Sequence, residues 1–270
     1  MNRFSIKSCA EVLEESFSSN FSADSQLSFF FKKNKNIGKS ERSLIADTYY
    51  NVIRNKRYLE VLGATSNPFK LILIYLIKLQ GRSIRDLLPM ISEEDGKWLS
   101  KIKANKLANI DLSAKLSLPD WFWTKLSAQY DEKKAIQIAN SLLLPAQLCL
   151  RVNTIKGKGR QEIITELMES FPEVENQIFE TKISPIGIIM PRGSFIQKHL
   201  LYLKGNVEIQ DEGSQLLSYL ADAKRGQMVA DFCAGAGGKT LAMASMMKST
   251  GRIYSFDISD KRLDNLKIRL

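Results

Sequence analysis

At 270 residues the chain exceeds the usual size of one folding unit, roughly 100 to 200 residues, and 44% hydrophobic with 25% charged residues is the make-up of a globular chain, which excludes a disordered one. Its 39 Lys and Arg against 29 Asp and Glu leave a net charge of +10, which favours a polyanionic partner. Cys9, Cys149 and Cys233 show no C-x-x-C spacing, which argues against a disulfide framework or a zinc site and fits a reducing cytoplasm.

The N-terminus, MNRFSIKSCAEVLEE, lacks the apolar core of a signal peptide. Residues 1–110 carry 18 basic side chains against 11 acidic ones, concentrated at Lys32, Lys33, Lys35, Lys39 and Arg42 and again at Arg54, Lys56 and Arg57. Each cluster reads either as a phosphate footprint or as a solvated helix face. The periodicity here is helical. Ser40 is expected to cap a helix with Ile45, Tyr49, Val52 and Ile53 on its apolar stripe, and Gly63 to stop it in a left-handed turn. The next helix runs from Phe69 to Leu79 and stops at Gly81. Its LILIYLIKL at 71–79 is far short of the ~20 residues that span a bilayer and reads as buried. A third helix starts at Ser92, with Asp95 three residues on as a weaker version of a capping box. These residues form the first expected domain, an all-α bundle over 1–110.

The second expected domain covers 111–205. Residues 106–120 read as a connection, and DWFWTKLSAQY and DEKKAIQIANSLL as two helices. Trp121 and Trp123 are better explained by packing than by stacking on bases. After Pro145 the texture changes: AQLCLRVNT alternates like a strand, GRQEIITELMESF is helical, and NQIFE and ISPIGIIM are extended. That order describes a small α+β unit comparable to a ferredoxin-like or RNA-recognition fold. The lone His199 has no partner pattern and receives no role.

The third expected domain covers 206–270. VEIQDEG reads as a short strand leading into SQLLSYLADA, a helix whose Leu216, Leu217 and Leu220 should face a core. QMVADF is apolar enough for a buried parallel strand. It is followed by CAGAGGKT at 233–240, a helix to Met247, Gly251 as its stop, and the strand RIYSFD. Strand, glycine-rich turn, helix and strand ending in an acid make one half of a nucleotide-binding sheet. Gly235, Gly237 and Gly238 allow positive φ and close backbone approach, with helix N–H groups facing the ligand. Asp257, 19 residues after Gly238, stands where an acid accepts hydrogen bonds from ribose hydroxyls.

A phosphate-binding P-loop would need glycine at 233, where Cys233 stands, and a nicotinamide-binding loop would need glycine at 240, where Thr240 stands. A nucleoside ligand with little phosphate, S-adenosylmethionine above all, fits the loop better.

DFCAGAGGKT resembles the D-x-C-A-A-P-G-G-K-T signature of the Sun-type, RsmB-like family of RNA cytosine-5 methyltransferases, with Gly235 and Ala236 in place of Ala-Pro. VEIQDEGSQ at 207–215 is similar to that family's V-Q-D-x-x-S-Q, LCLRVNT at 148–154 to its L-R-x-N, and SFDISDKRLDNL at 255–266 to its D-x-x-x-x-R-L. The resemblance covers about 118–270; the helical front is similar in kind to the NusB-like domain of bacterial members. It implies a multidomain architecture: an all-α NusB-like bundle, a small RNA-recognition-like α+β unit, and the start of a Rossmann-like α/β methyltransferase domain that is truncated here. It further implies that Cys233, Ala234, Gly235, Ala236, Gly237, Gly238 and Lys239 line the methionine and adenosine of S-adenosylmethionine and that Asp257 holds its ribose. The implied partner is RNA, ribosomal RNA first, with no membrane, no metal and a monomeric state.

The family's chemistry adds a cysteine thiolate to carbon-6 of cytosine so that carbon-5 can take the methyl group. The motifs that supply that thiolate follow later strands, beyond Leu270. Cys9, Cys149 and Cys233 match no such position and are more simply small packing residues, so no catalytic residue is named and the 270-residue chain is expected to be inactive by itself. A reading from another class is a non-catalytic RNA-binding or regulatory module; cofactor binding separates the two.

Overall fold

The computed structural model describes residues 1–104 and 110–270, which form two compact units, Met1–Pro145 and Ala146–Leu270. Part of the connection expected at 106–120 lies outside the described residues.

The first unit is helical throughout its described residues: α1 (Arg3–Ser18), α2 (Ala23–Lys33), α3 (Lys39–Arg54), α4 (Lys56–Gly63), α5 (Pro68–Lys78), α6 (Ile84–Leu87), α7 (Glu93–Ala104), α8 (Leu112–Lys115), α9 (Asp120–Gln129) and α10 (Glu132–Leu143). Helix α5 is apolar all round, so it is enclosed rather than laid on a surface. Every residue from Leu71 to Ile77 is buried, among Ile6, Leu13, Ile45, Tyr49 and Leu59. Each such aliphatic side chain contributes about 1.5–3 kcal/mol on burial. Asn67 caps α5 by accepting from the Lys70 N–H, with Pro68 in the first turn. The Ser92 hydroxyl caps α7, accepting from the Asp95 N–H at 3.0 Å and donating to the Asp95 carboxylate at 2.7 Å. No single described helix is long and apolar enough to cross a membrane.

Two local expectations need correction. The helix expected to start at Ser40 is capped earlier, at Gly38, and breaks at Asn55 into α3 and α4. Gly63 is not the left-handed stop: Ala64 takes that conformation, at φ 46°. Gly63 is instead demanded by packing, since a Cβ there would lie 2.5 Å from Ile74 Cδ1 on α5.

The helices after 111 belong to this unit and not to the sheet further along the chain. Arg57 on α4 donates to the Leu118 carbonyl and, at 2.6 Å, to Asp120 Oδ1, while Tyr58 N–H donates to Ser117 Oγ. Leu116, Leu118, Leu126, Ala135 and Ala139 form a small core with Trp123 packed against it. Trp121 is 64% exposed, so packing explains only one of the two indoles.

The second unit opens with β1 (Leu148–Val152), α11 (Arg160–Ser170), β2 (Phe179–Glu180), β3 (Gly187–Met190), the short α12 (Leu200–Leu203) and β4 (Val207–Ile209). The strands make one antiparallel sheet in the order β2-β3-β1-β4. With a helix in each long connection, this is the split β-α-β pattern anticipated from the sequence. Its core joins Leu150, Val152, Ile163, Leu167, Ile188 and Val207. The expected boundary after 205 falls inside this sheet: β4 pairs with β1, Leu150 opposite Ile209 and Val152 opposite Val207. A backbone ladder ties residues 207–209 to the sheet, so they belong with it rather than with the glycine-rich turn.

Then come α13 (Glu212–Ala221), β5 (Met228–Asp231), α14 (Gly238–Met246), β6 (Arg252–Ser255) and α15 (Asp260–Lys267). The inner face of α13 is polar, contrary to expectation. Leu217 and Leu220 are exposed, whereas Gln215 and Ser218 are buried. Gln215 is held there by hydrogen bonding: its amide donates to the carbonyls of Leu150 and Gln210 at 3.2 and 2.9 Å and accepts from Ser184 Oγ at 2.6 Å. Strand β5 is also less buried than its apolar sequence implies, with Met228 exposed, because among the described residues its only ladder partner is β6.

Candidate functional site

Strands β5 and β6 run parallel with Asp231 opposite Ser255, so the segments leaving each strand emerge side by side. Two further hydrogen bonds zip them together: Phe256 N–H to the Asp231 carbonyl at 2.8 Å and Ala234 N–H to the Phe256 carbonyl at 3.0 Å. The glycine-rich turn and Asp257 therefore meet at one end of the two strands, as the sequence spacing requires. Gly237 caps α14. The N–H groups of the first turn after it have no carbonyl one turn back, which leaves them directed out of the helix end.

Asp257 does more than stand beside the loop. Its Oδ2 accepts the Gly235 N–H at 2.9 Å and its Oδ1 accepts the Ser259 N–H at 2.9 Å, so it latches the turn to the end of β6. Each oxygen keeps a second lone pair for a ligand hydroxyl. Gly235, at φ 55°, has open space around it: the nearest atom to a Cβ there is Asp257 Oδ2 at 4.0 Å. Gly237, at φ 88°, is enclosed by the protein itself, with Leu266 Cδ1 2.2 Å from where a Cβ would lie. Gly238 departs from expectation. It is the first residue of α14 and is not among the positive-φ residues; a Cβ there would make ordinary contact with the Gln210 amide at 3.8 Å. Ala234 is buried under the turn, Lys239 is half-buried in the first turn of α14, and Ala236 and Cys233 are exposed.

Three residues that sequence reading missed hold this loop. Asp231, buried at the end of β5, accepts from the Cys233 N–H at 3.2 Å and from Thr240 Oγ1 at 2.7 Å, joining the two ends of the turn. Leu266 packs under Gly237. Arg269 donates to the Ala236 carbonyl at 2.7 Å and is paired with Glu208 on β4. The Asp231–Thr240 spacing across a glycine turn is a usable signal; the other two depend on the fold of α15. Beside the turn, Phe232 and Phe256 stack at 5.3 Å with their rings 16° apart, 74% and 49% exposed.

A cavity of about 450 Å³ lies between α14 and α15, lined by Thr240, Met247, Ile253, Leu263 and Leu266 among others. Neither Gly235 nor Asp257 lines it, so it is not the site the motif defines.

The cysteines divide sharply. Cys9 and Cys149 are buried; burial pushes the Cys9 thiol far up, and burial with the nearby Asp211 and Glu212 charges pushes Cys149 up to about 11. Such thiols are poor nucleophiles. Cys233, expected as a packing residue, is exposed, because the turn lifts it off the end of β5. The basic residues divide too. Lys32, Lys33 and Lys35 lie on α2 and in the loop after it, all three exposed, and Lys39 lies at the start of α3. By contrast, Arg42 donates to the carbonyls of Ile37 and Asn34, Lys56 lies 4.0 Å over the Phe17 ring and Arg57 is bound to Asp120. His199 has a structural role: Nδ1 accepts from the Leu201 N–H, and Nε2 lies 2.9 Å from Ser170 Oγ.

A parallel pair of strands joined through a latched glycine turn and a helix, with an acid at the carboxyl ends, makes a β-α-β unit of the Rossmann-like kind. Residues 218–270 match the model of the family described as 16S rRNA methyltransferase RsmB/F. The chain is 29% identical over 156 residues to the probable ribosomal RNA small subunit methyltransferase B of Bacillus subtilis, covering 58% of this chain and 34% of that protein. It is 36% identical over 79 residues to the mouse 28S rRNA (cytosine-C(5))-methyltransferase, covering 29% of this chain and 17% of that protein. The solved structure of PH0851 shares the fold over 100% of this chain and 66% of its own, with a TM-score of 0.69 at 19% identity. That of a methyltransferase homolog from Pyrococcus horikoshii aligns with a TM-score of 0.50 at 27% identity, over 62% of this chain and 53% of that one. These similarities support the resemblance to the Sun-type, RsmB-like family that the motifs carry, with the family model itself confined to residues 218–270. The chain spans about a third or less of the length of these two curated relatives.

Proposed function

We propose that this chain carries the cofactor-holding part of an S-adenosylmethionine-dependent enzyme that methylates carbon-5 of cytosine in RNA, with ribosomal RNA as the target. The observation that carries the reading is the latch between Asp257 and the Gly235 N–H, which fixes a ribose-binding acid and a close-approach backbone at one strand end. The residues fit the group. Gly235 leaves room where a side chain would intrude, Asp257 has lone pairs for two hydroxyls, and Ala236 is small. The cofactor supplies the methyl group. Cys233 to Lys239 hold its methionine and adenosine, Asp257 its ribose, and Asp231 keeps both ends of the turn in place. A ribosomal RNA target is supported by the names of the relatives, each an enzyme of ribosomal RNA, and by the lysines of α2 and the loop after it.

No residue of this chain is assigned as the nucleophile. Two of its three thiols are buried, and the third sits within the turn itself. The chain as given is therefore proposed to bind cofactor weakly and to transfer no methyl group to RNA. The test is equilibrium binding of radiolabelled S-adenosylmethionine to the purified chain and to Asp257→Ala, followed by incubation with unmodified ribosomal RNA. Saturable binding that the substitution weakens at least about tenfold, the loss of one charge-assisted hydrogen bond, supports the reading. Binding unaffected by Asp257→Ala overturns the site, RNA retention with no cofactor binding favours a non-catalytic RNA-binding module, and methyl incorporation shows that a nucleophile has been overlooked.

A further inference from the structure

Among the described residues, four buried side-chain nitrogen atoms have no hydrogen-bond partner: Arg151 Nη1 and Nη2, Gln210 Nε2 and Arg269 Nε. All are donors, so this interior is short of acceptors. Arg269 has a carboxylate partner in Glu208. Among the described residues Arg151 makes no ion pair, although Glu208 stands opposite it across β1 and β4, and it is 1% exposed and among the largest fully buried side chains; its side-chain bond runs from Nε to Gln210 Oε1 at 2.6 Å. A buried cation without a counter-charge is costly, and such groups are normally paired. Burial and the neighbouring Arg269 charge push the guanidinium down to about 10, so it stays charged at neutral pH.

Arg151 lines a cavity of about 50 Å³ together with Thr154, Gln215, Ser218, Tyr219 and Ser245. Hydroxyls and an amide surround it, and no Asp or Glu lines it. The volume is several times the roughly 10–15 Å³ that one water needs, yet too small for a nucleotide or a sugar phosphate.

We propose that this cavity is a binding site for a small monovalent anion of halide size, held by the two free η nitrogens of Arg151 with hydroxyl donors from the surrounding residues. Charge selects an anion over water, and the small volume keeps out a nucleotide or a sugar phosphate. The site joins three elements: Arg151 lies on β1, Tyr219 and Ser218 on α13, and Ser245 on α14, where it meets Thr154 Oγ1 at 3.1 Å. An anion there clamps the helix after the glycine turn onto the four-stranded sheet. The inference is independent of the cofactor reading, because it rests on residues outside the turn.

The test uses the whole chain in sodium chloride, sodium bromide and sodium gluconate at matched ionic strength. Amide hydrogen exchange in α13 and α14 is read by mass spectrometry, and bromide is located by anomalous scattering in crystals grown with it. Protection should rise along a saturating curve with chloride and bromide but not gluconate. The rise should be roughly tenfold when the halide is about ten times its dissociation constant. Arg151→Met should abolish the dependence, and Tyr219→Phe, a milder change, should shift the curve to higher halide. Equal protection in all three salts, or bromide absent beside Arg151 in crystals of the unaltered chain, would overturn the proposal and leave the cavity to water.

Discussion

Replacing Gly237 by alanine tests how the glycine turn is built. The added Cβ would lie 2.2 Å from Leu266 Cδ1, 3.0 Å from Cγ and 3.2 Å from Cβ. A rotamer change moves the first of these atoms but not the last, so α15 must shift. At φ 88° an L side chain also costs roughly 1–2 kcal/mol, and overpacking adds about 1–3 kcal/mol, giving about 2–5 kcal/mol in all. Leu266→Ala removes the atoms nearest the new Cβ. In that background only Leu266 Cβ, at 3.2 Å, still crowds the new methyl, so Gly237→Ala should cost the backbone part and a small residual shift, with most of the overpacking, up to about 3 kcal/mol, appearing as coupling between the two positions. Hydrogen exchange of α14 peptides measures the loss. Trp98, Trp121 and Trp123 all lie in Met1–Pro145, so indole fluorescence is an internal control that should not change. An identical cost for Gly237→Ala in both backgrounds would refute the packing explanation.

Thr240→Val should leave one oxygen of the buried Asp231 carboxylate without its donor and cost about 1–3 kcal/mol, read as faster exchange at Cys233 and in α14; unchanged exchange would remove Asp231 as the staple of the turn. Reversing the charges of Lys32, Lys33 and Lys35 should lower the salt slope of RNA binding by about 2–3, near 0.7–0.9 per lost phosphate contact, whereas Arg42→Ala should destabilise the loop whose carbonyls it holds with a smaller change in slope. Alkylation at pH 8 should label one cysteine quickly, Cys233, since burial pushes the thiols of Cys9 and Cys149 up and leaves little thiolate; peptide mapping checks which residue reacts. Glu212 accepts from the Ser184 and Ile183 N–H groups, which hold its carboxyl below the usual range. Its contribution is therefore complete above the ordinary carboxylate pKa and disappears as pH falls through the lowered value. Exchange at Ser184 measured across the acid range should show that loss in the unaltered chain and not in Glu212→Gln.

How much of the fold is legible in the sequence depends on the range of each interaction. The caps at Asn67 and Ser92, the enclosed α5, the strands of the small sheet and the glycine turn beside Asp257 depend on residues near one another or on a fixed repeat, and a sequence displays both. Two of the departures share one cause, a partner on another element. Gly63 reads as a helix stop because a glycine at a helix end usually is one. Its reason is Ile74, on another helix. Leu216, Leu217 and Leu220 read as the inner face of α13 because apolar residues usually turn inward. That helix lies instead against the carbonyls of Leu150 in β1 and of Gln210 after β4, and an amide that can donate twice and accept once fits there better than a leucine. The same substitution of polar for apolar contact places Arg151 in the interior. In the sequence its L-R-x-N run carries only a resemblance, yet its arginine is the buried charge around which the sheet and the two helices meet. Where a sequence places a charged residue in the middle of an otherwise apolar strand, as in LCLRV, the physical question is which group neutralises it. Among the described residues no carboxylate forms an ion pair with it, and that points to a site rather than to a defect of packing.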